Sequence, residues 1–202
     1  MDSCIESMRQ LVLSQWNDLQ WRHHGIGVLQ AYLFERCEPE SRVHVWHPAL
    51  AREGINESGD CHDHRFDLRS TILAGCLEET YFGSPLATDN GEWTMFAVEN
   101  ARSAGPEKRF DGACVPLPGR YSAIAKDYRY PVGTTYSHPR GTFHRTRAIE
   151  LAVTLCLMSR KQGKARLLVP FGREPVHAFG EPAPFHVQSR ILGNARAALS
   201  VT

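Results

Sequence analysis

Two textures of apolar spacing divide the chain. From Ile5 to about Glu35 the pattern is helical: Met8, Leu11, Val12, Trp16 and Leu19 recur three to four residues apart, which aligns them on one helix face. Gly25 and Gly27 interrupt this pattern, and Val28, Leu29, Tyr32 and Leu33 predict a second short helix before the boundary at Pro39. After Arg42 the periodicity shortens to that of strands. Short β-rich runs follow at Val43–Trp46, Ser70–Ala74, Cys76–Phe82, Trp93–Val98, Tyr121–Ala125, Gly141–Thr146, Leu151–Met158 and Ala165–Val169, separated by Gly, Pro, Asn and Asp. Many short strands at this spacing predict an all-β sandwich or barrel rather than βαβ units. Asn100–Pro118, rich in Gly, Pro and charge, reads as a long loop or lid. The tail after Pro170 reads as extended packing with a last helix near Arg190–Leu199. The expected organisation is a helical extension over residues 1–40 and a β-barrel over 41–202, together one compact domain.

Composition narrows the class without naming a function. With 202 residues, 42% hydrophobic and 22% charged, the chain can bury a substantial core in one domain. A net charge of +1 offers no electrostatic footprint for nucleic acid or a membrane surface, so neither is an expected partner. Apolar runs such as Leu151–Met158 are too short to span a bilayer, and the first residues lack the pattern of a secretory signal. The six cysteines are scattered without a CxxC pair, so they read as reduced thiols, and the expected compartment is the cytoplasm.

The densest chemistry is Cys61-His62-Asp63-His64-Arg65-Phe66-Asp67. Residues at i and i+2 of an extended segment share a face, so His62 and His64 project together and can bind a transition metal; Cys61 faces the other way and reads as packing. Alone, such a pair is equally a pair of surface or hydrogen-bonded core histidines. A second signal lies downstream at Pro139-Arg140-Gly141-Thr142-Phe143-His144. Asp67, the only carboxylate soon after the paired histidines, admits three readings: a ligand, an acceptor for a ligand imidazole or Arg69, or an exposed turn residue. His138 is a further candidate ligand, with a turn or barrel-mouth position as the alternative. Tyr121, Tyr128, Tyr130 and Tyr136 are either core aromatics or a source of a phenol near a substrate, and Tyr136 is the candidate retained. Arg42 or Arg69 is a candidate to bind a substrate carboxylate, with a solvated arginine as the alternative. His23, His24, His44 and His47 have no partner at ligand spacing and read as structural or surface residues.

Both motifs resemble those of the cupin superfamily. The HxH segment followed by the strand Ser70–Ala74 and Gly75 is similar to its first motif, and Pro139–His144 matches the PxGxxH form of its second. The resemblance covers roughly Arg42 to Val169. It implies a jelly-roll barrel holding one divalent metal on His62, His64 and His144. The metal implied is iron(II) first, with zinc, nickel, manganese or copper also compatible. The glutamate that cupins commonly place after the second histidine is absent, since Leu68 and Arg69 stand there. A three-histidine set is similar to the thiol dioxygenase branch, and cysteine dioxygenase looks closest at His62–Thr80. No cysteine stands at Leu68–Ser70, however, and Thr154, Cys156 and Met158 do not match that branch's supporting serine, histidine and tyrosine. The implied function is a metal-dependent dioxygenase acting with O2 on a small organic molecule, possible substrates including thiols and amino-acid-like compounds but not cysteine itself. Metal-dependent isomerases or lyases and small-molecule-binding cupins are the alternatives. Such barrels also form homodimers, for which the Ile5–Leu19 segment would serve if it does not pack on its own barrel.

Overall fold

The structure is a computed structural model of the chain and describes residues 3–24, 26–34, 39–51, 61–99, 113–175 and 183–201. It is an all-β jelly roll of antiparallel strands with an N-terminal helix. Helix α1 (Ser3–Gln15) is followed by β1 (Arg22–His24), β2 (Ile26–Phe34), β3 (Glu40–Ala51), β4 (Leu68–Ala74) and β5 (Cys76–Gly83). The short strands β6 (Leu86–Thr88), β7 (Trp93–Glu99), β8 (Ala113–Pro116) and β9 (Arg120–Ser122) come next. Then follow β10 (Lys126–Pro131), β11 (Thr135–His138), β12 (Phe143–Arg147), β13 (Ala152–Met158), β14 (Arg166–Pro170) and helix α2 (Phe185–Ser200).

One wall is a six-stranded sheet in the order β1-β2-β3-β13-β4-β11. The other is built from β10-β5-β12 and from β14-β7-β9-β6, with β8 added beside β7. Alternation decides what each wall shows to either side. Val43, Val45, Leu73, Val153 and Leu155 point outward into a core shared with Val12 and Trp16 of the α1 region and Ile191, Ala195 and Leu199 of α2. Arg9 ties α1 down by donating from Nε to the Leu73 carbonyl at 2.8 Å. The amphipathic N-terminal segment thus packs on its own sheet.

The even-numbered residues of β3 and β13 point the other way, into the barrel. Pairing places Tyr32, Arg42, Cys156, Ser70 and Tyr136 in one row across the sheet, beside a second row of Gln30, His44 and Thr154. The interior therefore carries polar chemistry as well as the apolar cluster of Val28, Trp46, Ile72, Leu77 and Ala152.

Most expected strands are present, but β1, β6 and β8 were not expected, β1 and β2 lie within the expected helical extension yet join the six-stranded sheet, and further differences follow. Val28–Leu33 forms strand β2, not a helix. Helices cover one of its faces and the barrel interior lies on the other, so both faces are apolar and the two-residue alternation is lost. The Tyr121–Ala125 strand is confined to Arg120–Ser122. Strands β10 and β11 lie in a charged, tyrosine-rich stretch that is largely exposed on both faces, so no apolar run marked them. Of the expected lid, residues 100–112 lie outside the described residues, and Ala113–Pro116 is β8. The last helix begins earlier than expected, at Phe185. Among the described residues no helix is long and apolar enough to cross a membrane.

Candidate metal centre

The His62–Asp63–His64 segment is extended but is not a full strand. His62 makes single bridges to His144 of β12 and Leu167 of β14, so the segment is threaded between them and joins the two parts of the second wall. The amides and carbonyls of His62 and His144 exchange two hydrogen bonds, each 3.0 Å. The Asp63 amide donates to the Arg166 carbonyl at 3.0 Å, and the Leu168 amide donates to the Cys61 carbonyl at 2.9 Å. Gly141, at φ 82°, turns the chain so that its amide reaches the His64 carbonyl at 3.0 Å. The glycine of the PxGxxH motif is therefore the turn that brings the two motifs into register.

Alternation then sorts the side chains. Cys61 packs with Phe82, Met95, Phe143 and Leu168 on the face away from the histidines. Asp63, 2% exposed, also points away from the cavity and meets Arg166. Arg166 donates to it from the backbone amide at 2.5 Å, from Nε at 2.7 Å and from Nη2 at 2.6 Å. Burial raises the Asp63 carboxyl, and the Arg166 guanidinium opposes that rise.

His62, His64 and His144 face inward, with every pair of ring centroids 4.9 Å apart. One nitrogen of each lies within 4.8 Å of the others, an arrangement that can hold a metal ion. His144 Nδ1 lies 3.2 Å from the Thr142 carbonyl, which can only accept. The proton is thus on Nδ1, and Nε2 keeps its lone pair for a ligand. Burial, then the neighbouring imidazoles His144 and His62, hold His64 well below its ordinary range; burial, His62 and His138 do the same for His144. Neutral imidazoles are the form that binds metal, and this donor set suits iron, zinc, copper or nickel.

Asp67, Arg69 and His138 are not part of the three-histidine cluster that could hold a metal. Asp67 is exposed; it accepts from the Arg140 amide at 2.8 Å and the Ser159 hydroxyl at 3.2 Å, so it pins the loop before Gly141. The Arg140 contact is the main reason its carboxyl lies below the usual range. Arg69 is exposed on β4, on the opposite face from Ser70, and so points away from the cavity. Arg42 is the arginine that faces inward, donating to Gln30 at 3.4 Å and to the Tyr32 hydroxyl. Tyr136 lies inside, its ring stacked on Tyr130 at 4.4 Å and 5.2 Å from that of His138. His138 is buried in β11 rather than placed in a turn, and its ring stacks on His144 at 4.4 Å and 12°.

Sequence reasoning missed several interior groups. Glu79, 2% exposed, accepts from His138 Nε2 at 2.9 Å. His24 and His44 also turn out to be half-buried and inward-facing, both pushed down to about 3 with desolvation as the main cause. The available signal was alternation: His44 lies between Val43 and Val45, and Glu79 is two residues from Leu77.

No protein-family model matches the chain, and no curated protein sequence matches it. Among solved structures, the chain is similar to the DMSP lyase DddQ of Ruegeria pomeroyi (15% identity, 86% of this chain, 73% of that chain, TM-score 0.46). It is also similar to Lactobacillus farciminis oxalate decarboxylase in its formate complex (12% identity, 73% of this chain, 32% of that chain, TM-score 0.41). A third is hydroxypropylphosphonic acid epoxidase from S. wedmorenis in complex with fosfomycin (9% identity, 70% of this chain, 56% of that chain, TM-score 0.40). At these scores and identities the likenesses carry no argument about activity, and the chemistry of this chain rests on its own residues.

Proposed function

We propose that this chain is a metal-dependent enzyme of the cupin type, a mononuclear non-haem iron(II) oxygenase that uses O2 on a small organic substrate. The observation that carries the reading is the convergence of three inward-facing histidines, His62, His64 and His144, from two separate motifs. When bound by three neutral imidazoles, iron(II) supplies a Lewis-acidic, redox-active centre with positions left for substrate and dioxygen. The protein supplies orientation and a dry enclosure. Thr142 holds the His144 tautomer, the Asp63–Arg166 pair anchors the backbone between the other two histidines, and Phe66 stacks on His64 at 4.8 Å. Arg42 faces inward beside Gln30, Tyr32 and, at 4.0 Å, the Glu40 carboxylate, and it is the arginine that the carboxylate of an amino-acid-like or thiol acid substrate would meet.

The test is anaerobic loading with iron(II) followed by elemental analysis, wild type beside His62→Ala. The wild type is expected to keep about one iron per chain and the variant to lose it, because two imidazoles hold the ion far more weakly. Oxygen uptake is then measured with thiols, diketones and amino acids. A wild type that retains no metal overturns the metalloenzyme reading. Turnover that persists without oxygen moves the assignment to a metal-dependent isomerase or lyase.

A further inference from the structure

We infer that Glu79, with His138 and the Tyr130–Tyr136 pair, forms a subsite inside the barrel for the ammonium group of an amine-bearing substrate whose other end reaches the three histidines. The inference rests on the metal-site reading above and adds to it the chemical class of the substrate.

Strand β5 turns Leu77 and Glu79 inward and Glu78 and Thr80 outward. Glu79 is therefore a carboxylate inside the barrel, 2% exposed. Its Oε2 accepts from His138 Nε2 at 2.9 Å and from the Thr146 hydroxyl at 3.4 Å. Its Oε1 is buried with no hydrogen-bond partner among the described residues, and the same is true of His138 Nδ1. In the neutral imidazole with its proton on Nε2 toward Glu79, Nδ1 is an acceptor as well. The two unmatched atoms therefore both call for a donor, and burying a carboxylate oxygen without one is costly. A cationic N–H donor is the strongest complement to a carboxylate.

The surrounding rings select an organic cation. Tyr130 and Tyr136 stack at 4.4 Å and 9°, and Tyr136 stands 5.2 Å from His138. Aromatic faces beside a carboxylate attract an ammonium by its charge and its apolar skirt together. Both phenols feel the Glu79 charge: burial first, then Glu79, pushes Tyr130 up to about 12. Tyr136 is raised by burial, Cys156 and Glu79 in that order.

Position ties the subsite to the metal residues. The His138 ring lies flat against that of His144 at 4.4 Å, so Glu79 sits one imidazole behind a ligand. Glu79 is not part of the ligand cluster, which is His62, His64 and His144.

Cobalt(II)-loaded protein, with uptake checked by elemental analysis, is titrated with matched acids that differ only in –NH3+ for –CH3: glycine and propionate, β-alanine and butyrate, γ-aminobutyrate and valerate. The visible cobalt bands report binding at the metal. At least one amino acid is expected to bind about ten-fold tighter than its methyl partner, and Glu79→Gln to remove that preference. Equal affinities within every pair overturn the subsite whether or not the variant folds. A preference that survives in Glu79→Gln also overturns it, because the amine is then chelating the metal. If no cobalt is taken up, the metal reading fails by itself, and calorimetry of propylammonium on metal-free protein reads the subsite separately. Binding lost in Glu79→Gln supports the subsite, and no binding by the wild type overturns it.

Discussion

His24 and His44 show how a side chain can matter to this protein without belonging to the ligand set. His44 sits edge-on to Trp46 at 5.8 Å, with Nδ1 3.5 Å from the Cys156 sulfur. Burial, then Arg42, pushes its imidazole down to about 3; for His24, burial acts first and His62 second. Unfolded, each histidine takes a proton near its ordinary value of 6.5, whereas folded it stays neutral until about 3. The unfolded state thus binds more protons throughout that window, so stability is fully present above it and falls as pH drops. The expected slope is about 1.4 kcal/mol per pH unit for each histidine in the lower part of the window. Urea unfolding at neutral and at mildly acidic pH measures it, and His44→Gln should lose less stability on acidification than wild type does, by one histidine's share, since His24, His64 and His144 are held down as well. An unchanged pH dependence would mean that the burial of neutral His44 is not a cause. Neither histidine stands out in the sequence, because neither has a partner at ligand spacing and both lie on strands remote from the motifs.

The arrangement of the metal histidines depends on how short elements are tied together. The His62–His64 segment has single bridges on both sides rather than a ladder, so its position relies on the Asp63–Arg166 pair and on the Gly141 turn. Arg166→Met removes the partner of an almost fully buried carboxylate. Breaking a buried pair costs about 3–5 kcal/mol, and here the lower end is expected because the Arg166 side chain is 35% exposed. Metal affinity should fall about 10–100-fold, the usual consequence of losing a group that orients ligands. Urea unfolding and metal titration of the same variant measure the two effects; wild-type values in both would show that Arg166 does not anchor the segment. At Gly141 a Cβ would meet Arg166 Nη2 at 3.3 Å and force a positive φ on an L side chain, so the turn and the clamp constrain each other. The alternation of Cys61, His62, Asp63 and His64 was readable from order alone, but the partner of Asp63 lies more than a hundred residues away and was not.

Across the molecule, the two helices close the outer face of the six-stranded sheet while the polar chemistry stays inside the barrel. Ile191, 1% exposed, sits in that outer core with Val12 and Leu199. Ile191→Ala is expected to lower the unfolding free energy by about 2–5 kcal/mol, the range for a large-to-small change in a packed core. Metal stoichiometry should be unchanged below the melting transition. Denaturant curves and elemental analysis test this separation, and loss of metal from still-folded protein would show that helix packing and site geometry are coupled.

Local order was enough to reveal the strand-rich body, the amphipathic first helix and the His62–His64 pair, because alternation is a property of neighbouring residues, whereas His144 entered only through the resemblance of Pro139–His144 to a family motif. Residues brought together by pairing were beyond its reach. β2 read as helical because burial on both faces erased its alternation. Arg69 and Arg42 were equal candidates until strand facing turned one outward and the other in. Glu79 and His138, far apart along the chain, became a buried pair behind His144 only when β5, β11 and β12 were set around one cavity. Side-chain direction depends on register, and register depends on which distant strands pair.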